Sequence, residues 1–195
     1  MQMEDSLKLN GESSVWEVLK KLGEPEPNHT VNSSVRGYNV EAGKKIVLEG
    51  TGHSAEGKKA RLQSKHFVCT SCHNVAKEDP DLSVVDAQGR LDYCAENNLP
   101  FLQGTTLYGA VNRTSFYNDD YEKKYGELVE PARNNLREAI QLCAVECSQG
   151  RRLKTWELES VLGYLWTLEL KMKDLNLAEA DYNSIESSMN NSTKE

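Results

Sequence analysis

The stretch "KHFVCTSCHNVAKEDPD" at residues 65–81 contains two cysteines separated by two residues and followed directly by a histidine. Two thiols at this spacing occur in thioredoxin-type redox sites, in zinc sites and at points of covalent haem attachment. A thioredoxin-type site would follow a buried strand of a parallel sheet, and the Val and Ile runs typical of such strands do not surround this motif. A zinc site needs a second ligand pair, which Cys143 and Cys147 could present together from one helix.

The haem interpretation uses all three chemical groups of the motif. Cys69 and Cys72 lie one helical turn apart, so that they would form thioether bonds with the two vinyl groups of haem c. His73 follows at once, and its ring would then reach the iron as the proximal ligand. The pattern occurs once in the chain, which predicts one covalent haem and no tandem array of similar units.

Size and charge restrict the class of protein. The chain has 195 residues, of which 38% are hydrophobic, enough to bury the core of one domain. A formal net charge of -7 argues against nucleic-acid binding, which relies on clustered Lys and Arg, and suits a basic protein partner. We expect no membrane span, because no apolar run approaches the roughly 18 residues that a bilayer requires.

Composition divides the chain into three parts. Residues 1–42 are predicted to form a polar N-terminal extension, residues 43–172 carry nearly all the apolar periodicity and all five cysteines, and residues 173–195 form a polar tail. The first residues, "MQMEDSLKLNGESS", contain no apolar run typical of a secretory signal. Since haem is attached to thiols outside the bacterial cytoplasm, the haem interpretation predicts an exported, periplasmic protein whose signal peptide is absent from this sequence.

Three helices are predicted within the central part. The first includes "GKKIVLEG" at 43–50, and the second follows one apolar face from Leu136 to Cys147 and stops near Gly150. The third opens with Thr155 as its N-cap. Its apolar stripe consists of Leu158, Val161, Leu162, Leu165, Leu168 and Met172. Strand signals are weak throughout, which predicts an all-α fold.

The sequence resembles c-type cytochromes in two regions. "GKKIVLEG" is similar to the start of their N-terminal helix, and the group Gly163, Tyr164 and Trp166 is similar to the C-terminal helix that crosses it. Residues 51–65 depart from the simplest members by lengthening the approach to the motif. The resemblance implies a class I cytochrome c-like helical fold around one covalent haem, and electron transfer with a redox protein partner.

A more specific resemblance lies after the motif. "LPFLQGTTLYGAVNRTSFYNDDY" and "LREAIQLCAVECSQGRRLKTWELESVLGYLWTL" are similar to the corresponding regions of thiosulfate dehydrogenases and the related SoxA-type cytochromes of sulfur oxidation. Cys143 stands at the position of a cysteine where the sulfur chemistry of those families occurs. The resemblance implies a small sulfur oxyanion substrate near Cys143, with Arg113 or Arg151 as its cationic partner. Because joining two thiosulfates releases two electrons and one haem stores one, such an enzyme would need a second cytochrome subunit.

The iron ligand on the side opposite His73, the distal ligand, is predicted by comparing the other Met, His and Cys residues of the chain. The only methionine near the haem region is Met172, whose stripe position is typical of a core residue. His53 lies in a glycine-flanked loop, and Cys147 follows Cys143 on the same face; these two and Met172 are lower-ranked candidates. Cys143 ranks first, since a thiolate on a buried helix face needs a positive partner such as ferric iron.

Alternatives remain open for the cysteine pair and for the function. If they bind no metal, Cys143 and Cys147 are either small buried residues or form a disulfide, which a regular helix would strain. Electron transfer is the primary function predicted, a subunit of a thiosulfate-oxidising enzyme is the second, and a zinc-binding module is the remote third.

Overall fold

The structure is a computed structural model that describes residues 8–82, 84–117 and 119–192. In these ranges the α-helices are α1 (Val15–Lys21), α2 (Val40–Glu49), α3 (Ala87–Glu96), α4 (Asp119–Tyr125), α5 (Leu136–Leu142), α6 (Thr155–Trp166) and α7 (Glu179–Ser192). Short 3₁₀ helices cover Cys69–Ser71, Ala110–Asn112, Gly126–Ala132 and Met172–Leu175. The described ranges contain two isolated bridges and no strand, so the all-α prediction is confirmed.

The core is built where α2 crosses α6. A Cβ atom at Gly43 would lie 1.8 Å from the carbonyl oxygen of Ser160, so the two backbones touch at the crossing and only glycine fits there. The main cluster of buried side chains surrounds this point and consists of Ile46, Val47, Val111, Leu136, Leu153, Leu158, Val161, Leu162, Tyr164 and Leu165. The crossing therefore sets the distance between the segments that follow α2 and those that precede α6.

The ends of α2 follow from its sequence. The helix begins at Val40, three residues before the predicted segment, because the side chain of Asn39 accepts the backbone N–H of Glu41 at 3.0 Å. It ends at Glu49 and is capped by Gly50, which adopts a left-handed conformation with φ 74° and donates its N–H to the carbonyl of Ile46. This left-handed turn directs the chain into the long approach to the motif.

Helix α6 corrects two details of the sequence analysis. Thr155 was predicted as the N-cap, but it is the first helical residue, and the cap is Lys154, whose N–H is accepted by Glu157 at 2.7 Å. The helix ends at Trp166, so the predicted stripe is broken before Leu168 and Met172. The chain turns there and returns towards the N-terminus.

The predicted second helix consists of two conformations. Asn135 caps α5 by accepting the N–H of Arg137 at 3.0 Å, and the α-helix ends at Leu142. Cys143–Cys147 form a π-helical turn, closed by a hydrogen bond from the N–H of Ser148 to the carbonyl of Cys143 at 2.9 Å. Such turns are rare and are frequent at functional sites. A continuous α-helix through Cys147 was therefore the wrong prediction.

A second apolar cluster joins the two ends of the described chain. It contains Leu9, Val15 and Val18 from the N-terminal side with Met172 and Met189 from the C-terminal side. The backbone N–H of Val15 donates to the carbonyl of Leu170 at 3.1 Å. Parts of the predicted extension and tail thus pack on each other, while the boundaries at 42 and 172 stay predictions. Within the described ranges, the helices are too short or too polar to cross a membrane.

Candidate functional site

The cysteine motif forms a compact turn beside the core. The N–H groups of Cys72 and His73 both donate to the carbonyl of Cys69, at 3.1 and 3.0 Å. Cys69 packs against the main apolar cluster, and burial raises the pKa of its thiol to about 11. Cys72 is partly exposed and accepts a hydrogen bond on Sγ from Nε2 of Gln103 at 3.1 Å. The turn thus holds both thiols and the imidazole within five residues of backbone.

The ring of His73 is oriented by a loop that lies far away in sequence. Its Nδ1 is 2.6 Å from the carbonyl oxygen of Thr105. A carbonyl can only accept, so Nδ1 carries the proton and Nε2 keeps its lone pair. Gly104 lets this loop approach, because a Cβ at that position would lie 2.5 Å from Cε1 of the His73 ring. His73 therefore has the tautomer and the support that a metal-binding histidine needs.

A buried carboxylate holds the motif and the loop together. Glu78 is fully buried, and its Oε2 accepts from Nδ2 of Asn74 at 2.8 Å while its Oε1 accepts from the N–H of Thr106 at 2.6 Å. Asn74 directly follows His73, and Thr106 directly follows the residue that accepts from His73. Arg90 neutralises the carboxylate at 3.0 Å. Sequence analysis missed Glu78, since no local pattern distinguishes it from a surface glutamate.

Cys143 and Cys147 are free, partly buried thiols at the two ends of the π-helical turn. Donation from the Cys143 thiol, followed by the Tyr125 hydroxyl at 3.6 Å, lowers the pKa of Cys147 to about 6 against the opposing effect of burial. The same hydrogen bond and then burial raise the pKa of Cys143 well above its ordinary value. The Tyr117 hydroxyl lies within reach of Cys147 and of the Ala139 carbonyl, the latter at 3.2 Å.

An open cleft of about 830 Å³ lies beside the loop that orients His73. Gln103 and Thr105, which contact Cys72 and His73, line one side, and Phe116 and Tyr117 line another. Negative charge on Cys69 or Cys72 would raise the pKa of Cys143, so the two groups of thiols are near enough to interact. The fold therefore brings together the motif and Cys143, which are about 70 residues apart in sequence.

The other distal candidates lie elsewhere. His53 is exposed in a turn where its backbone pairs with that of Lys59. Met172 is 1% exposed and belongs to the second apolar cluster. Cys147 lies in the pair beside Cys143, and the fifth cysteine, Cys94, is buried against the carbonyl of Glu78.

Both arginines proposed for an oxyanion have other partners. Arg151 makes two hydrogen bonds to the fully buried carboxylate of Glu157, at 2.6 and 2.7 Å. Arg113 donates to the carbonyl of Thr106 at 2.9 Å, and burial lowers its pKa. Through this contact Arg113 supports the loop that orients His73.

Across residues 8–82, 84–117 and 119–192, no three side chains of His, Cys, Asp or Glu converge as ligands for a metal ion. The zinc alternative therefore gains no support from the geometry. Comparisons with protein-family models, with curated proteins and with solved structures gave no match. The resemblance to c-type cytochromes accordingly stays a prediction, and the function has to follow from the chemistry of the site itself.

Proposed function

We propose that this protein is a c-type cytochrome that transfers electrons through one covalent haem. Cys69 and Cys72 would form the two thioether bonds, and His73 would be the proximal ligand. The observation that carries the proposal is the hydrogen bond from Nδ1 of His73 to the carbonyl of Thr105 at 2.6 Å. A metal-binding histidine commonly donates its other ring N–H to such a carbonyl, which fixes the tautomer and the orientation of the ring.

The surroundings of the motif fit a haem. The cleft of about 830 Å³ is lined by Gln103 and Thr105, which contact Cys72 and His73, and its walls include Phe116 and Tyr117. When bound, haem supplies a one-electron couple between ferric and ferrous iron. Cys69, Cys72 and His73 would hold it, and the carbonyl of Thr105 orients the His73 ring. Electron transfer also implies a redox protein partner, and covalent attachment implies export to the periplasm.

Cys143 is the distal ligand that we propose. It is partly buried and is close enough to the motif for charge on Cys69 or Cys72 to affect its pKa. A thiolate ligand stabilises ferric iron and lowers the reduction potential. The thiosulfate-oxidising alternative would need a cation for the substrate, yet Arg151 is engaged by Glu157 and Arg113 by Thr106. The arrangement thus favours an electron carrier over an enzyme subunit.

Covalent haem attachment is tested on protein exported from a host that matures c-type cytochromes. We expect haem to stay on the polypeptide after extraction with acidified acetone, and the pyridine haemochrome spectrum to show two saturated vinyl positions. The double variant Cys69→Ala/Cys72→Ala should lose the haem, and Cys94→Ala, which removes a buried cysteine away from the cleft, should keep it. Extraction of all haem from the unmodified protein would refute the proposal.

The distal ligand is tested separately by low-temperature electron paramagnetic resonance of the ferric protein. We expect a low-spin thiolate signal that disappears in Cys143→Ala. The matched variant is Cys147→Ala, four residues away in the same turn, which should keep the thiolate signal. An unchanged spectrum in Cys143→Ala would transfer the assignment to Cys147 or His53 and leave the proposal of covalent haem intact.

A further inference from the structure

The hydrogen bond that His73 donates is one half of a longer chain of hydrogen bonds. Nδ1 of His73 lies 2.6 Å from the carbonyl oxygen of Thr105. That carbonyl belongs to the same peptide group as the N–H of Thr106, and this N–H donates to Oε1 of Glu78 at 2.6 Å. One planar peptide group therefore joins the imidazole on one side to a carboxylate on the other.

The neighbours of Glu78 favour its ionised form. The side chain is fully buried, and its two oxygens accept hydrogen bonds from the N–H of Thr106 and from Nδ2 of Asn74, the latter at 2.8 Å. The guanidinium of Arg90 lies 3.0 Å from Oε1 and stabilises the charge in its buried position. All three neighbours present N–H groups, beside which a proton on the carboxyl group would have no acceptor. A negative charge thus stands at the far end of the peptide group.

The peptide group is held in place by further hydrogen bonds around Thr106. The Thr106 hydroxyl donates to the carbonyls of Asn74 and Ala76, at 3.0 and 2.7 Å. The carbonyl of Thr106 accepts from Arg113 at 2.9 Å. Hydrogen bonds in a chain polarise one another, and those to a charged group are the shorter and stronger ones. The charge of Glu78 therefore acts on a peptide group whose orientation is fixed by other contacts.

We propose that Glu78, acting through this peptide group, is a positioning residue that strengthens the hydrogen bond donated by His73. The carboxylate attracts the Thr106 proton, electron density moves to the Thr105 oxygen, and this oxygen binds the Nδ1 proton of His73 more tightly. The imidazole becomes more basic at Nε2, the atom that is left to bind iron. The consequence, a lower reduction potential of the ferric–ferrous couple, rests on the proposed function.

Nuclear magnetic resonance of the full-length, ¹⁵N-labelled chain measures the bond directly. Where haem is attached, the protein is reduced and saturated with carbon monoxide, which makes the iron diamagnetic. Strong hydrogen bonds move their protons to low field, so we expect the Nδ1 proton of His73 and the amide proton of Thr106 at the low-field edge of the spectrum. Both should move to higher field in Glu78→Gln, whose amide oxygen can still accept from Thr106 but carries no charge.

The matched control is Asp79→Asn, which removes a carboxylate one residue later and leaves the acceptor of the Thr106 N–H in place. It should leave both protons where they are. Spectroelectrochemistry of the haem-loaded proteins gives the second measurement, in which we expect a more positive reduction potential in Glu78→Gln and a smaller change in Asp79→Asn. A more positive potential with an unmoved Nδ1 proton would mean that the charge acts through space, and it would overturn the proposal. Equal changes in the two variants would overturn it as well.

These outcomes are distinct from a failure of the proposed function. A chain that purifies without haem refutes the proposed function and the effect on the potential, while the resonances of that chain still decide whether Glu78 strengthens the His73 bond. If Glu78→Gln fails to fold, the unmodified chain decides. Low-field positions of both protons would support the chain of hydrogen bonds, and an ordinary position of the Nδ1 proton would overturn it.

Discussion

Replacing Glu78 with glutamine should destabilise the protein more than any surface substitution would. The carboxylate is fully buried, contacts Arg90 at 3.0 Å and accepts hydrogen bonds from Asn74 and Thr106. Glutamine keeps the shape and can still accept from Thr106. It leaves the guanidinium of Arg90 without a counter-charge, and its amide nitrogen faces the amide nitrogen of Asn74.

The expected magnitude follows from these contacts. Removing one partner of a buried ion pair costs about 3–5 kcal/mol. One hydrogen bond is retained, so we expect the lower end, about 3 kcal/mol. The loss cannot be absorbed locally, because the Arg90 Nε is already buried without a hydrogen-bond partner. For a chain of this size the change corresponds to a fall in Tm of about 6–12 °C.

Urea denaturation of both proteins measures the difference in free energy of unfolding, with equal m-values as the check that only the native state changed. Asp79→Asn is the matched control, since it removes the same charge one residue later. Burial and the neighbouring Glu78 raise the pKa of Asp79, so neutralising it should cause no loss. A loss below about 1 kcal/mol in Glu78→Gln, within the range of an ordinary hydrogen bond, would refute the role of this carboxylate.

Three further predictions concern the crossing, a buried histidine and the second cluster. Gly43→Ala should lower the free energy of unfolding in urea by about 3 kcal/mol or more, because the new Cβ would overlap the Ser160 carbonyl. A change of less than about 1 kcal/mol would contradict the direct contact of the two backbones. Burial lowers the pKa of His29 below its ordinary value of 6.5, so as the pH falls the unfolded chain takes up a proton at this histidine before the folded chain does. The free energy of unfolding should therefore fall below about pH 6.5. In His29→Gln the dependence of this free energy on pH should be flatter between about pH 7.5 and 5.5. Met172→Ala should cost about 2–5 kcal/mol in urea denaturation because the side chain is 1% exposed, and a loss below about 1 kcal/mol would contradict its place in the second apolar cluster.

The parts of the structure that could be predicted are those that depend only on residues close together in the sequence. The apolar periodicity after Thr155 indicates α6, and the motif spacing places Cys69, Cys72 and His73 on one turn. The predicted helix boundaries were less accurate, because a cap depends on one side chain. With Asn39 as its N-cap, α2 begins earlier than the apolar pattern indicates. The π-helical turn was missed, since the residues around Cys143 satisfy the α-helical pattern equally well.

The sequence by itself determined the helical class and the chemical groups of the motif, because periodicity and short spacings are properties of neighbouring residues. Tertiary structure alone decided how these groups are supported and combined. The carbonyl that orients His73 comes from 32 residues further along the chain, and the carboxylate that holds both segments pairs with Thr106 across 28 residues. It also decided where the backbones of α2 and α6 touch, at Gly43 and Ser160, since contacts between distant segments do not follow from any local pattern.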